Sequence, residues 1–257
     1  MSPPAESPSL PLSTRPRPCG AGRARVAVLG RDAGIEKGRP LAPQLAAALA
    51  PACPKHIALL KQVHGTALHD AANALAAGEK LLEGDGLVTR EAGAAVCVRT
   101  ADCVPLILTS TKAPFLAAIH SGWRGTLAAI LPRAIALAGA AGHSPSDLHL
   151  WIGPCIRGDV YEVSEDLAAE FTARFGADSG VVRGRLLNLA RANRLWAERG
   201  GLPANQVEDC GLCTYKDHRS WPSFRRDGAT GESIYTVAWI ERQAFASGLD
   251  RTRRIGG

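Results

Sequence analysis

A chain of 257 residues, 46% hydrophobic and 21% charged, is long enough to bury a sizeable core, and none of its apolar runs reaches the roughly 18–20 residues that a membrane span needs. The formal charge is +6, but no aromatic-interleaved basic stripe, zinc finger or helix-turn-helix pattern accompanies it. The balance therefore argues against a nucleic-acid or membrane partner, and for a solvated basic surface or arginines that hold an anionic small molecule.

The first 23 residues are rich in Pro and Ser and lack a basic-then-apolar leader, so they are expected to form a flexible tail ahead of one domain over 24–257. The seven cysteines are odd in number and scattered, which fits no disulfide framework and points to a reducing cytoplasm. After the tail, "ARVAVLG" (24–30) predicts a strand and "PLAPQLAAALA" (40–50) a helix. "HIALLKQVHG" (56–65) predicts a strand running into a glycine turn, and "GDGLVTR" a turn feeding another strand. Three strands follow closely, over 94–100, 104–110 and 114–120. The helical pattern over 125–142 should be kinked or split by Pro132. "DLHLWIGPCI" (147–156) predicts a strand, "SEDLAAEFTARFG" a Ser-capped helix, 185–201 a further helix, and "TVAWIE" (236–241) a last strand. Strands and helices intermingle without regular alternation, which argues for an α/β fold with mixed sheets covered by helices.

Three chemistry-bearing residues stand at strand-to-loop edges: His64 in "KQVHG", Cys103 in "TADC" and His120 in "AIHSGWRG". Two imidazoles and a thiolate make a competent ligand set for a divalent metal, and a catalytic zinc uses three protein ligands plus an open position. Separations of 39 and 17 residues cannot close such a site by themselves, so satisfied edge histidines and an inert thiol remain the alternative. Glycines directly after His64 and two after His120 allow close approach. Asp85 and Asp102 are candidate acids, bases or ligand-orienting carboxylates, and Arg124, Arg225 and Arg226 candidate anion holders. "CGLC" (210–213) lacks a second Cys pair and reads as structural.

The segments "LLKQVHG", "GDGLVT", "TADCVPLIL", "AAIHSGWRGT", "IGPCI", "YEV", "DCGLCTY" and "SFRRDGATG" occur in the order found in the YfiH/YlmD family, which the chain resembles over residues 55–240. Family proteins carry laccase-domain (polyphenol oxidase) and multifunctional purine nucleoside phosphorylase labels. The resemblance implies a single-domain four-layer α/β/β/α sandwich with His64, Cys103 and His120 as zinc ligands. Read from the residues themselves, Cys103, His120, Asp85 and Asp102 are the candidate catalytic residues, and Arg124, Arg225 and Arg226 the candidate binders of substrate and phosphate. Two places depart from the family pattern. "STRPRPCG" (13–20) and Gly38-Arg39 only partly echo its front, and Trp221-Pro222 replaces its aromatic pair before Ser223. The altered front bears on substrate choice.

Seven histidines with no His-x-His pair cannot furnish the several copper sites of a true laccase, and a single copper site of His₂Cys type would lack its usual axial Met, since Met1 is the only one. Zinc is the expected cofactor, with copper second. The expected activity is phosphorolysis of purine nucleosides, with a possible adenosine deamination that rests on the resemblance alone, because the H-x-E…P-C-x-x-C deaminase signature is absent. The alternatives are a Cys-His hydrolase or deamidase acting on an amide or cell-wall precursor, with Cys103 as nucleophile and His120 as base, and a copper-dependent polyphenol oxidase. The sequence is silent on oligomeric state.

Overall fold

The computed structural model describes residues 12–13, 17–20 and 22–241. Three short or long strands open the chain: β1 (Leu12–Ser13), β2 (Arg17–Cys19) and β3 (Gly22–Leu29). Helix α1 (Leu41–Ala48), β4 (His56–Ala58), β5 (Leu68–Asp70), α2 (Ala71–Ala76), β6 (Gly86–Thr89), β7 (Ala94–Thr100), β8 (Val104–Ser110) and β9 (Leu116–Ser121) follow. Next come α3 (Trp123–Leu127), α4 (Ile130–Ala140), β10 (Leu148–Ile152), α5 (Glu165–Phe175), β11 (Val182–Arg183), β12 (Leu186–Leu187) and α6 (Leu189–Arg199). β13 (Val207–Asp209), α7 (Phe224–Asp227) and β14 (Ile234–Ile240) complete the series.

Two six-stranded sheets form the centre. One runs β1-β3-β14-β7-β4 with β2 also on β3, the other β13-β10-β8-β9-β6-β5. Both are mixed: β14 is antiparallel to β3 and β7 while β4 is parallel to β7, and β8 is antiparallel to β9 and β10 while β13 is parallel to β10. Strand periodicity sorts the side chains into layers. Val26, Val28, Val96, Val98 and Ala238 of the first sheet meet Leu87, Ile107, Leu116, Ala118 and Trp151 of the second in one buried cluster. The opposite face of the first sheet (Ala27, Leu29, Ala95, Cys97, Val237) packs on Leu45 and Leu49 at α1. The opposite face of the second (Leu106, Leu108, Ala117, Ile119, Leu150) packs on Ile130, Leu131, Phe171, Ala192 and Ala197 of α4, α5 and α6. The order is therefore helix, sheet, sheet, helix. Strand β8, covered on both faces, is buried along its whole length, which is why "VPLILTS" reads as an unbroken apolar run.

Several expectations need correcting. The tail expected over 1–23 is structured where it is described: β2 pairs with β3, Cys19 is fully buried, and the Gly20 N–H donates to the Ser110 carbonyl of the other sheet at 2.8 Å. A Cβ at Gly20 would stand 2.7 Å from Pro114, and its φ is +58°, so glycine is required there. Residues 1–11, 14–16 and 21 of that tail, and the arginines after 241, lie outside the described residues. The strand expected over 56–65 stops at Ala58; the chain then leaves the sheet and carries His64 away from it. Strand β5 and helix α2 were not expected. Their signal is weak, an Ala-rich stretch whose only mark is the Asp70 cap on Ala72 N–H at 2.9 Å. The helical pattern over 125–142 does split, at Ala129 in the left-handed region (φ 63°), and Pro132 falls in the first turn of α4, where its missing N–H leaves no bond unmade.

Candidate metal centre

Three chain segments deliver the candidate ligands. Strand β9 carries His120 as its last residue but one, the short connection between β7 and β8 holds Cys103, and the loop after β4 holds His64. Their ligand atoms all lie within 4.8 Å of one another, so residues 39 and 17 apart in sequence do meet. His64 and His120 face each other edge-on, with ring centroids 4.8 Å apart. His120 is buried, Cys103 partly buried and His64 exposed, so the group is closed below and open above.

One carboxylate organises two of the three. Asp85, fully buried at the start of β6, accepts the Nδ1–H of His120 at 2.8 Å, which leaves Nε2 of that ring for the cluster. The same carboxylate accepts the backbone N–H groups of Val63, His64 and Gly65 at 3.3, 2.9 and 2.6 Å, and so fixes the loop that aims His64 (φ 60°). Gln62 adds a second clamp: its side chain donates to the Arg99 carbonyl and accepts from the Arg99 N–H, both at 2.7 Å, taking the place of a strand neighbour. A carboxylate behind a ligating imidazole is the usual arrangement around protein-bound metals.

Gly122 supplies room rather than flexibility. Its φ of −76° is open to any residue, but a Cβ there would stand 3.0 Å from the Cys103 sulfur and 3.1 Å from Cδ2 of His64. Below it, Ser121, Thr126 and Asn193 form a buried hydrogen-bonded group that ties the end of β9 to α3 and α6.

The electrostatics separate Cys103 from the other thiols. Burial pushes Cys53 and Cys97 up to about 12, and raises Cys19, Cys155 and Cys210 as well. Burial acts on Cys103 in the same direction, but hydrogen bonds and charge from His120 and His64 override it and bring the thiol down to about 6. Burial likewise opposes a charge on His120, and hydrogen bonds to Asp85 and Cys103 outweigh it, raising the imidazole to about 9. For Asp85 the hydrogen bonds with His120 and Gly65 win over burial, and its carboxyl is held below the ordinary range.

Both aspartates expected as acids, bases or orienting carboxylates are held in hydrogen bonds. Asp85 accepts four hydrogen bonds and stays ionised. Asp102, in a left-handed conformation (φ 89°), accepts the Thr214 hydroxyl at 2.6 Å, the Ser223 hydroxyl at 3.0 Å and the Arg225 N–H at 2.7 Å. Of the roles expected for them, these hydrogen bonds fit that of an orienting carboxylate. Arg226 is corrected as an anion holder: all five of its N–H donors go to Asp227 and to the carbonyls of Thr214, Tyr215 and Trp221, at 2.7–2.8 Å. Arg225 lines the cavity but spends Nη1 on the Glu162 carbonyl at 2.5 Å. Arg124 is exposed, stacks on Trp123 at 4.2 Å and makes no ion pair among the described residues. Arg39 pairs with Glu36 at 3.0 Å on the surface and is absent from the cavity.

The three candidate ligands line a cavity of about 790 Å³. Sequence reasoning missed four of its walls: Gln62, Arg99, Tyr161 and Phe224. Tyr161 and Phe224 sit inside the quoted "YEV" and "SFRRDG" segments, whereas nothing local to Gln62 or Arg99 marks their pairing across 37 residues. "CGLC" is structural as expected: Cys213 pairs with Cys155 in a β-bridge, beside an Arg157–Asp209 fork at 2.7 and 2.8 Å. The other histidines have their own partners where contacts are resolved: His69 the Glu83 carbonyl, His143 the Ser110 hydroxyl and His149 the Gln206 amide.

Comparison with known proteins adds three findings. A family model described as multi-copper polyphenol oxidoreductase laccase matches residues 42–241. A purine nucleoside phosphorylase of Deinococcus radiodurans is 34% identical over 95% of this chain and 99% of its own, and an adenosine deaminase from an unknown prokaryotic organism is 33% identical over 62% of this chain and 63% of its own. Among solved structures, a Neisseria meningitidis protein superimposes with a TM-score of 0.73 at 25% identity, covering 91% of this chain and 100% of that one. YlmD of Geobacillus stearothermophilus does so with 0.73 at 24%, covering 85% and 92%.

Proposed function

From the premise that the chain belongs to the multi-copper polyphenol oxidoreductase laccase family, whose members similar to it include proteins named purine nucleoside phosphorylase, we propose that it is a zinc-dependent purine nucleoside phosphorylase. The substrates on this reading are a purine nucleoside and inorganic phosphate, and the products a free base and ribose 1-phosphate. The observation that carries the reading is the convergence of His64, Cys103 and His120 on one wall of a cavity that also holds the uncommitted Arg124.

The donor set fits the ion. Two imidazoles and a thiol already poised to ionise suit zinc, the exposed side of the group leaves a position open, and Gly122 keeps the space between the donors clear. Copper accepts the same donors, but no methionine lies among the described residues to serve as an axial ligand. A zinc held by His64, Cys103 and His120 would supply Lewis-acid chemistry there.

The chain's own residues do the rest. In phosphorolysis an oxygen of hydrogen phosphate bonds to the anomeric carbon as the bond to the purine nitrogen breaks; the electron pair leaves with the base, which takes up the proton that the phosphate gives up. Positive charge builds on the sugar, as in glycoside cleavage. Arg124 offers a guanidinium free to hold the phosphate, and its stack on Trp123 limits where that guanidinium can swing. Asp85 holds His120 in one orientation and fixes the path of the loop that carries His64. Tyr161 and Leu189 add apolar surface to the lining of the same cavity.

The same pair that favours a metal also favours a second reading. A thiol brought down to about 6 beside an imidazole raised to about 9 is the arrangement of a cysteine nucleophile and its base, which would make the protein an amide hydrolase. One experiment separates the readings. Release of base from adenosine and inosine is followed with and without phosphate, before and after chelation, alongside ammonia release from adenosine. The phosphorylase requires both phosphate and metal. Base release that ignores phosphate contradicts it, and amide hydrolysis that survives chelation favours the nucleophile.

A further inference from the structure

We propose that Phe224 is the platform on which the base of the nucleoside stacks, so that contact with a ring face, rather than hydrogen bonding to particular exocyclic groups, decides which nucleosides enter. The proposal rests on the nucleoside reading above and adds to it the residue that recognises the base.

Phe115, Phe171 and Phe175 are buried, whereas Phe224 is 62% exposed and lines the cavity. A single exposed phenylalanine is ordinary. Its attachment is what sets this one apart. The residues on either side of it both bond to the same oxygen, Oδ2 of Asp102: the Ser223 hydroxyl at 3.0 Å and the Arg225 N–H at 2.7 Å. Asp102 is the neighbour of Cys103 in the chain. The ring is therefore held in register with the metal centre through one buried carboxylate, while gaining nothing from packing in the core. Arg226, with every donor satisfied, locks the following residue of the same short helix.

The other aromatic walls are already covered. Arg124 lies over Trp123 at 4.2 Å and Arg225 over Tyr161 at 4.9 Å, whereas no ring or cation stacks on Phe224 among the described residues. One cavity is thus lined by a guanidinium that makes no ion pair among the described residues and by an apolar ring with nothing stacked on it, which suits a ligand that is anionic at one end and a flat heterocycle at the other. Stacking accepts any base, because each has a π-face, so adenosine and inosine should bind with similar dependence on this ring.

The test uses the protein purified with its metal, and the variants Phe224→Ala, Phe224→Leu and Phe224→Tyr. Binding of inosine and adenosine is measured calorimetrically without phosphate, together with steady-state kinetics and metal content. Phe224→Ala should weaken both nucleosides at least about fivefold. Phe224→Leu should fail similarly although it keeps apolar volume, and Phe224→Tyr should stay within about twofold of wild type. The KM for nucleoside should rise more than kcat falls, with the KM for phosphate and the metal content unchanged. Nucleoside binding by folded Phe224→Ala within twofold of wild type overturns the proposal, as does full binding by Phe224→Leu, which would reduce the ring to filler. A wild type that binds nucleosides but never cleaves them refutes phosphorolysis and leaves the platform standing; one that binds no purine nucleoside overturns both.

Discussion

The carboxylate of Asp85 receives the Nδ1–H of His120 at 2.8 Å and, with the same oxygen, the backbone N–H of His64 at 2.9 Å. One buried anion thereby sets the direction of one imidazole and the path of the loop carrying the other. Removing it without changing shape, as in Asp85→Asn, should lower zinc affinity about 10- to 100-fold, the range found for partners behind metal-bound histidines. Competition with a chromogenic chelator measures this. Unchanged affinity would mean that His120 does not depend on the carboxylate.

Gly122 should be intolerant for a reason unrelated to folding. Its backbone conformation suits alanine, yet the added methyl carbon would sit 3.0 Å from the Cys103 sulfur. Gly122→Ala is expected to lose metal, by tenfold or more in affinity, with little change in melting temperature of the metal-free protein. A variant that binds zinc normally would place the ion elsewhere.

The acid–base behaviour of Cys103 has a definite sign. Its thiol is brought down from 9.0 to about 6 by His120 and His64 against the effect of burial. In metal-free protein the thiolate is therefore formed across neutral pH and lost as pH falls through about 6. Alkylation by iodoacetamide should rise with a midpoint near 6, and His120→Gln should move that midpoint upward. A lowered pKa stabilises the folded chain above the unfolded value and loses that contribution as pH drops toward 6. For His120, raised to about 9, the contribution is full below 6.5 and lost as pH climbs through 9. The two slopes oppose, so stability of the metal-free protein should be nearly flat between them.

Arg124 and Arg226 should behave oppositely. Arg226 spends every donor on Asp227 and three carbonyls, so Arg226→Ala should destabilise by about 2–4 kcal/mol in urea titration, through unpaired buried acceptors. Arg124, without an ion pair, should be neutral for stability on mutation to Ala and raise the KM for phosphate tenfold or more. The reverse pattern would refute the assignment.

Much of this was legible in the sequence because the ligands sit where patterns change. His120 closes the apolar run of β9 and Cys103 precedes that of β8, so the strand ends announce them. The layered fold was legible only in part. Strands β8 and β9 are buried along their whole length and β7 along most of it, but β2, β5 and β13 are three residues each and owe their existence to pairing partners rather than to their own propensity. The hydrogen-bond commitments of Asp102 and Arg226 were illegible for the same reason: Asp102 meets Thr214, Ser223 and Arg225 across more than a hundred residues, and no local spacing records such contacts. Residue type suggested chemistry, while hydrogen-bond commitment decided it.

The central claim is that His64, Cys103 and His120 hold one ion together, and metal content tests it most directly. Elemental analysis of native protein should find one zinc per chain, with His64→Ala, Cys103→Ser and His120→Ala each losing it while the fold persists. Full metal content in Cys103→Ser, or none in a wild type purified without chelator, would contradict the account.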